Sequence, residues 1–307
     1  MEIKELNYIT AIAEEGSISK ASERLFMAQS SLSQFLINLE EEINSKLFVR
    51  TSTGVRPTEA GRLLIEYAYR EISEYHRVRD KIQDVNYLKS GRVILGISTF
   101  RGTFLLPPVL REFHKKYPGI HVNIVEENSM ALEQKLKNGT IDLALIILPP
   151  KILKHDIEVL MRDEICIITT PQHPVMRYVQ PSPAHSKSSI RKYVNLKDAV
   201  QFEFLLSDYD TILGRESRKL FREHDLMPKT YNEKLSAFMA ASMGAAGLGL
   251  AFTYYCAQNY YSHAEFLSLG EEGTIIDLGV TLAPERYHSK AALALRNTML
   301  KVLGKTH

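Results

Sequence analysis

The sequence lacks the features that define several classes of protein. Its 307 residues include only two cysteines and no tryptophan. The longest apolar run, residues 141–148, has the length of a strand and contains Asp142, so no segment predicts a membrane-spanning helix. The histidines show no metal-ligand spacing, and neither a G-x-S-x-G nor an H-E-x-x-H motif is present. We therefore expect no membrane association, no metal, no cofactor and no enzymatic activity.

The two cysteines, Cys166 and Cys256, lie far apart in apolar contexts and outside any C-x-x-C spacing. This pattern is typical of buried, reduced thiols. A redox switch would require the two segments to meet in the fold, and the sequence leaves that alternative open.

Charge gives little guidance toward a partner. The formal net charge is +2, and acidic residues outnumber basic ones within residues 1–90. Nucleic-acid binding there must therefore depend on where the cations lie rather than on their number. The N-terminal segment alternates charged and apolar residues, which is typical of neither a signal peptide nor a transit peptide, so we expect a cytoplasmic protein.

Apolar residues recur at helical spacing in three consecutive N-terminal segments. They are Ile3, Leu6, Ile9, Ile12 and Ala13, then Ile18, Ala21 and Leu25, then Leu32, Leu36, Leu39 and Ile43. Gly16 ends the first predicted helix and Ser17 can cap the second. A short turn before the third predicts a helix-turn-helix.

The opposite face of the third helix is polar but uncharged. Its residues are Gln29, Ser30, Ser31, Ser33, Gln34 and Asn38. Short hydroxyls and amides let a helix enter the major groove, and glutamine can pair bidentately with adenine. An ordinary solvated face is the alternative, but such faces usually carry Lys and Glu. The pattern favours a recognition helix that reads double-stranded DNA.

Residues 47–50 and 55–57 predict two short strands around a turn, which would form a wing after this helix. Arg50, Thr51 and Arg56 are candidate phosphate contacts there, and Ser17 completes the predicted DNA contacts. These elements define a winged helix-turn-helix domain over residues 1–58, which is all-α apart from its wing.

A long helix is predicted from residue 59 to residue 88, within a linker of residues 59–90. Apolar side chains recur along it at alternating spacings of three and four, which is typical of pairing between helices. They are Ile65, Ala68, Ile72, Tyr75 and Ile82. We expect this seam to form a homodimer, and packing against the same chain is the alternative.

These residues resemble the LysR-type transcriptional regulators. The resemblance rests on motifs in family order: Gly16-Ser17, Ala21-Ser22-Glu23-Arg24-Leu25, Gln29-Ser30-Ser31-Leu32-Ser33, Leu39-Glu40, Leu47-Phe48-Val49-Arg50 and Pro57-Thr58-Glu59-Ala60-Gly61. Two positions depart from the family, since Asn44 stands where glycine is usual and Ser22 replaces a common alanine. The resemblance implies sequence-specific regulation as a homodimer or homotetramer, a small-molecule co-inducer, and an effect on RNA polymerase.

From residue 92 the pattern alternates strands and helices, which predicts an α/β domain with parallel sheets. The resemblance continues there through Leu105-Leu106-Pro107, Tyr117-Pro118, Gly139-Thr140-Ile141-Asp142-Leu143-Ala144, His173-Pro174 and Gly247-Leu248-Gly249-Leu250-Ala251. It implies a two-lobed effector-binding domain over residues 91–307, like that of periplasmic binding proteins. Lobe I would comprise residues 91–163 and 266–307, and lobe II residues 164–265.

Polar residues follow several of these strands, where ligands of open parallel sheets collect. They are Ser98, Thr99, Arg101, Asn128, Thr169 and Ser207. Hydroxyls beside a helix N-terminus, with one guanidinium, predict a small anionic effector in the cleft between the lobes. For each hydroxyl, plain helix capping is the alternative.

Residues 175–194 form a segment that is longer than in the family and rich in Ser, Pro and cations. This composition predicts a mobile exposed loop. A flap over the cleft or a subunit contact is the sharper alternative.

Other functions are weighed against a regulator. The run from Gly244 to Gly249 leads out of a predicted helix into a strand, the reverse of a dinucleotide-binding loop. A solute-binding protein would suit the two lobes but not the helix-turn-helix. A DNA-binding protein without effector control would differ from a regulator in whether binding is sequence-specific and shifted by a ligand.

Overall fold

The computed structural model describes residues 1–84, 91–155, 157–284 and 287–304. The N-terminal unit contains α1 (Ile3–Glu15), α2 (Ile18–Arg24), α3 (Gln29–Glu42), β1 (Phe48–Thr51), β2 (Gly54–Pro57) and α4 (Glu59–Asp84). β1 and β2 pair as an antiparallel ribbon. The predicted helix-turn-helix and its wing are therefore present at the expected positions.

The wing is held against the corner between α1 and α2. Gly16 ends α1 with φ +57°, and its carbonyl oxygen accepts a hydrogen bond of 2.7 Å from the Val55 N–H. A Cβ at Gly54 would lie 2.1 Å from the Gly16 oxygen, so only glycine allows this approach. The turn of the wing thus contacts the unit that carries α3.

The first half of α4 belongs to the packed N-terminal unit. Leu64 and Ile65 contact its core, and Ala68 and Ile72 pack with Leu6 of α1. The domain boundary predicted at residue 58 is therefore wrong, because α1 buries one face of α4 for more than two turns beyond it. The helix end predicted at residue 88 lies outside the described residues.

The C-terminal domain follows α4. Its elements in chain order are β3 (Gly91–Ile97), α5 (Thr99–Lys116), β4 (Ile120–Glu126), α6 (Ser129–Asn138), β5 (Leu143–Leu148), β6 (Val159–Thr169), β7 (Gln180–Pro181), β8 (Lys192–Val194), α7 (Leu196–Ala199), β9 (Glu203–Ser207), α8 (Ile212–Glu223), β10 (Lys229–Leu235), α9 (Ala237–Ala245), β11 (Leu250–Tyr254), β12 (Glu265–Leu269), β13 (Thr274–Leu282) and α10 (Lys290–Leu303).

The strands form one path in the order β10-β9-β11-β6-β13-β5-β3-β4. The three strands at each end of this path are parallel, as predicted. The sheet is nevertheless mixed, because β6 and β13 run antiparallel to each other and to their outer neighbours. The two lobes are therefore joined through the sheet itself.

Each lobe has its own apolar core, and the division between them differs from the prediction at one end. β12 pairs with β6 at Ile167 and Ile168 and with β8 at Tyr193, and Leu267 is buried in the core of lobe II. The return to lobe I predicted at residue 266 is therefore wrong, since it occurs with β13. Leu278 and Val280 of β13 pack in the core of lobe I.

The inserted segment 175–194 is anchored on lobe II. Val175, Ile190 and Val194 are buried, and β7 and β8 pair within the segment. The Ser188 hydroxyl donates a hydrogen bond of 2.6 Å to a carboxylate oxygen of Glu164. The prediction of an exposed loop is wrong for these residues, because apolar side chains within the polar stretch bury themselves. A contact with a second subunit stays a prediction.

None of the described helices is long and apolar enough to cross a membrane. Within the described ranges, no group of three or more His, Cys, Asp or Glu side chains is placed to hold a metal ion.

Candidate DNA-binding surface and effector cleft

Helix α3 buries one face and exposes the other, as its sequence predicts. Leu32, Leu36 and Leu39 lie in the core of the N-terminal unit. The predicted reading face is exposed at Gln29, Ser30, Ser31, Gln34 and Asn38, and Ser33 is half-buried. The side chains that could contact base edges thus share one accessible surface.

Gln34 and Asn38 are paired on this surface one helical turn apart. The Gln34 Nε2 donates a hydrogen bond of 2.8 Å to the Asn38 Oδ1. Gln34 keeps its Oε1 acceptor and its second N–H donor, which together suit the N6 and N7 positions of adenine. The pairing therefore orients Gln34 and leaves its Oε1 acceptor and one N–H donor for base recognition.

Ser17 has a structural role at the start of α2. Its hydroxyl accepts a hydrogen bond of 3.4 Å from the Lys20 N–H, and the side chain is half-buried. Helix capping accounts for this serine, and a DNA contact there stays a prediction.

The wing places its two arginines on opposite faces of the ribbon. Val49 pairs with Arg56 and Arg50 with Val55, so Arg50 and Arg56 are offset by one residue. Both are exposed, as is Thr51. Because neighbouring positions of a strand point to opposite faces, the two arginines face different surroundings. Their contributions to phosphate contact are therefore expected to differ.

A buried carboxylate, which the sequence reading missed, fixes the turn between α3 and the wing. Glu40 is 7% exposed and accepts hydrogen bonds from the backbone N–H groups of Leu47 and Phe48 and from the Lys46 Nζ. Burial alone would raise the pKa of Glu40, but these hydrogen bonds outweigh it and the pKa is lowered. A polar residue at an otherwise apolar helix position was the available signal.

Phe26, in the turn before α3, is a second residue that sequence reasoning did not select. Its side chain is 97% exposed and its φ is +53°, a left-handed conformation that aromatic residues rarely adopt. An aromatic ring without burial, next to the N-terminus of α3, is a candidate contact with the sugar-phosphate backbone.

In the effector domain, Ser98 and Thr99 remain accessible at the N-terminus of α5. Ser98 is the N-cap residue, yet its side chain makes no capping hydrogen bond within the described chain. Thr99 is exposed and Ser98 half-buried. These two residues keep the position predicted for effector contact.

Three other predicted effector contacts are capped or buried inside the fold, although the buried Ser207 Oγ has no hydrogen-bond partner among the described residues. The Asn128 Oδ1 caps α6 by accepting a hydrogen bond from Ala131 N–H. Thr169 is fully buried and donates to the Gly249 carbonyl oxygen, and Ser207 is 3% exposed. In this conformation Thr169 and Ser207 are covered by the packing of lobe II, and their contact with an effector stays a prediction. For Asn128 the capping alternative holds.

Arg101 is buried between the lobes rather than displayed in an open cleft. It is 3% exposed, its guanidinium carbon lies 4.1 Å from the ring centre of Tyr254, and its Nε lies 3.8 Å from Asp163 Oδ2. Burial raises the pKa of Asp163, and the charge of Arg101 opposes that effect. Arg101 therefore faces Asp163 rather than solvent in this conformation, and its contact with an anionic effector stays a prediction.

Aromatic rings close the space around this pair. Phe104 of α5 lies 4.8 Å from the ring centre of Tyr260 and 6.1 Å from that of Phe238. Phe100 contacts Tyr254 at 5.3 Å. Lobe I thus contacts lobe II through α5, and Ser98 and Thr99 at the start of this helix are half-buried and exposed.

The predicted dimer seam on α4 divides into two parts. Ile65, Ala68 and Ile72 pack inside the N-terminal unit, so their assignment to a partner is wrong and the alternative of packing on the same chain is right for them. Tyr75 and Ile82 are 52% and 64% exposed. The exposed apolar residues of α4 are Leu63, Tyr67, Tyr75, Val78 and Ile82.

The two cysteine segments do meet in the fold. Cys166 on β6 lies opposite Thr253 on β11, three residues before Cys256. Burial raises the pKa of both thiols well above the ordinary value. Protonated thiols are poor nucleophiles, so this geometry does not favour the redox alternative.

The helix-turn-helix and the two lobes together define a class of protein, the transcriptional regulators that join a DNA-binding unit to an effector-binding domain. Residues 3–62 match the family described as bacterial regulatory helix-turn-helix protein, lysR family, and residues 88–304 match the LysR substrate binding domain. The chain belongs to the LysR family of DNA-binding transcriptional regulators.

Similar proteins agree with this assignment. The chain is 26% identical over 312 residues to a probable RuBisCO transcriptional regulator from Cyanidioschyzon merolae, with 98% of each chain covered. It is 27% identical to a protein of the same description from Trichormus variabilis, which covers 97% of this chain and 87% of that one.

Two solved structures show the same fold. Full-length OxyR from Pseudomonas aeruginosa superposes with a TM-score of 0.64 at 21% identity, covering 98% of each chain. Full-length CbnR complexed with its target DNA superposes with a TM-score of 0.61 at 17% identity, covering 98% of this chain and 100% of that one. The fold class and the family expected from the sequence are confirmed.

Proposed function

We propose that this regulator binds a specific operator as a dimer and that a small molecule in the inter-lobe cleft changes how it sits on DNA. The observation that carries this proposal is the exposed, uncharged face of α3, with Gln34 oriented by Asn38. A surface of hydroxyls and amides contributes little to non-specific attraction for phosphates. It is suited to base edges, which are what a sequence-specific protein must read.

The dimer is proposed to form through the exposed apolar residues of α4. Leu63, Tyr67 and Val78 lie within about a quarter of the helix circumference, and Tyr75 and Ile82 extend the same strip. A helix that exposes such a strip in water is stabilised by pairing with a second helix. Pairing would present two α3 helices to two half-sites of DNA. A tetramer of two such dimers would need a further contact through the effector domains.

The effector is proposed to enter at Ser98 and Thr99, beside the free N–H groups that begin α5. A small anion fits this position because the helix N-terminus carries partial positive charge. Binding there would change the contact between α5 and lobe II, and so the angle between lobes. A ligand shifts this equilibrium only by its differential affinity for the two arrangements. The altered DNA geometry would then change access of RNA polymerase to the promoter.

A gel-shift titration on the DNA upstream of the gene for this protein tests the proposal. With excess random competitor at fixed salt, we expect a discrete shift that resists competition and that Gln34→Ala weakens. Small carboxylates added to the same assay test effector control, and a shift that none of them alters would favour DNA binding without an effector. Absence of any specific complex, both on this DNA and on a whole-genome fragment library, would contradict the proposed function.

A further inference from the structure

A cavity of about 1010 Å³ lies between the second half of α4 and lobe I, away from the inter-lobe cleft. Its walls come from α4, the end of α6, residues 152–155 and 157–158, the end of β13, and α10. This volume is at the upper end of the range of small-molecule sites, which is about 300–1,000 Å³. The cavity is therefore large enough for a metabolite.

The charged side chains around this cavity are mainly cationic. The basic ones are Arg70, Arg77, Lys137, Lys154 and Arg296. Among the described lining residues only Glu74 and Glu158 are acidic, and Glu74 pairs with Arg77. His155 and His288 add two imidazoles. The excess of positive charge gives the cavity a potential that attracts anions.

Two of these cations have no acidic partner among the described residues. Lys154 and Arg296 form no ion pair within the described ranges. The Nε of Arg77 is buried and has no hydrogen-bond partner among the described residues. The cavity therefore holds positive charge that a bound anion could neutralise.

The walls are held in place by hydrogen bonds that do not involve these cations. Glu133 is 1% exposed, and its carboxylate accepts from the N–H groups of Ile152 at 2.6 Å and Leu153 at 3.1 Å. His155 Nε2 lies 3.1 Å from Thr281 Oγ1. These contacts fix the segment that carries Lys154 against lobe I, so the cavity is preorganised.

We propose that this cavity is a second ligand site, which binds an organic anion carrying more than one carboxylate or phosphate group. Its charged groups would contact Arg77, Lys154 and Arg296, and its apolar part would lie against Leu153 and Ile157, which also line the cavity. The occupant would join α4 to lobe I. Since the first half of α4 is packed in the DNA-binding unit, the site connects that unit to the effector domain. Binding itself does not rest on the proposed function.

Calorimetric titration of the full-length protein without DNA tests the site, with pyrophosphate and citrate as probes at fixed ionic strength. We expect saturable binding of at least one probe, weakened at least tenfold by the double substitution Lys154→Gln with Arg296→Gln. The matched control is Arg222→Gln with Lys229→Gln, which removes the same charge from exposed positions of lobe II. Lys154→Gln alone changes an exposed side chain and should weaken binding without affecting folding.

Hydrogen exchange locates the bound probe independently. Binding should slow exchange in residues 70–77 of α4 and in residues 152–155. Three outcomes would overturn the proposal: no saturable binding of either probe, equal weakening by the test and control variants, or binding without protection of residues 70–77. A test variant that changes the sedimentation coefficient but leaves anion binding intact would show instead that the cavity is a subunit contact.

Discussion

The polar side chains on the predicted reading face of α3 are exposed or half-buried, whereas several of those that follow strands in the effector domain are buried. On α3, Gln34 and Asn38 are exposed and hydrogen bond to each other. Between the lobes, Arg101 and Asp163 are removed from solvent and face each other at 3.8 Å. A surface that recognises DNA must be accessible before its partner arrives, while the groups between the lobes hold two halves of one domain together. The exposed polar side chains of α3 are therefore available to contact DNA, whereas the buried ones between the lobes stabilise the effector domain.

The largest effect is expected for the buried pair. Arg101→Met should destabilise the effector domain by about 3–5 kcal/mol, because it leaves the Asp163 carboxylate buried without a counter-charge. Urea unfolding of the full-length protein, followed by tyrosine fluorescence, measures the change. The double substitution with Asp163→Asn should recover most of it, since the amide oxygen can still accept from Cys256 N–H. A loss below about 1 kcal/mol for Arg101→Met would mean that Arg101 does not support the lobes.

The next effect concerns the DNA-binding unit alone. A Cβ at Gly61 would lie 2.0 Å from the Leu47 carbonyl oxygen, so Gly61→Ala must displace α4 from the wing. We expect a destabilisation of up to about 3 kcal/mol, confined to residues 1–84, and loss of DNA binding. Hydrogen exchange resolves the two units. Gly102→Ala in α5 is the matched control, because its Cβ would meet only two side-chain carbons, at 3.2 and 3.8 Å. Faster hydrogen exchange in the effector domain of the Gly61→Ala variant would contradict the expectation that the destabilisation is confined to residues 1–84.

Gln34→Ala tests whether the exposed face of α3 reads bases. It should cost about 1–3 kcal/mol on the specific operator and little on random DNA. Competition gel shifts on both DNAs measure the difference. An equal loss on both would remove Gln34 from base readout. Ser31→Ala, on the same face, is a useful comparison with Gln34→Ala, because it removes a hydroxyl that offers only one donor.

The wing arginines allow a finer comparison. Arg50→Ala should weaken binding on all sequences and reduce the salt dependence of the binding constant by about one phosphate contact. Arg56 points to the other face of the ribbon, so Arg56→Ala should change the salt dependence by a different amount. Titrations between low and moderate salt report both values. Identical slopes for the two variants and the parent chain would exclude a phosphate role for the wing.

The smallest effect is a pH dependence at the junction of the two units. Burial, together with the charges of Arg79 and Arg92, lowers the pKa of His76 to about 4. The unfolded chain binds a proton near pH 6.5 and the folded chain does not, so stability should fall as pH drops from about 6.5 to 4. One proton allows a slope of at most about 1.4 kcal/mol per pH unit, and the half-buried position of His76 reduces it. His76→Gln should flatten this part of the stability profile, and an unchanged profile would assign the slope to other groups.

The sequence predicted the DNA-binding unit closely, because helical periodicity states which face is exposed as well as where the helix lies. Leu32, Leu36 and Leu39 are buried and Gln34 is exposed for this reason alone. In the effector domain the same reading located the strand ends but not their accessibility. Thr169 and Arg101 follow or adjoin strands as expected, yet the surrounding lobe covers them. Burial at a strand end depends on elements distant in sequence, which local pattern does not contain.

The prediction of the dimer residues on α4 was partly wrong for a related reason. An apolar stripe on α4 indicates that something covers it, but not whether that is a second chain or α1. Ala68 and Ile72 contact Leu6 over sixty residues away in the sequence, while Leu63 and Tyr67, which did not fit the chosen spacing, are exposed. Glu40 is part of a motif that carries the resemblance but was assigned no role, because a side-chain pattern does not show that the backbone N–H groups of Leu47 and Phe48 donate to it.

The paired strands β6 and β13 run between the two lobes, and their backbone hydrogen bonds extend from the region of one core to that of the other. The backbone hydrogen bonds hold the two strands together along their length, and neighbouring strands of a sheet can adopt a range of twist angles. A small rotation of lobe II about the strand axis is therefore the relative motion that we expect this connection to allow. Any signal that reaches α4 from the cleft would then be transmitted as a small angle, which the length of that helix converts into a larger displacement at the far end.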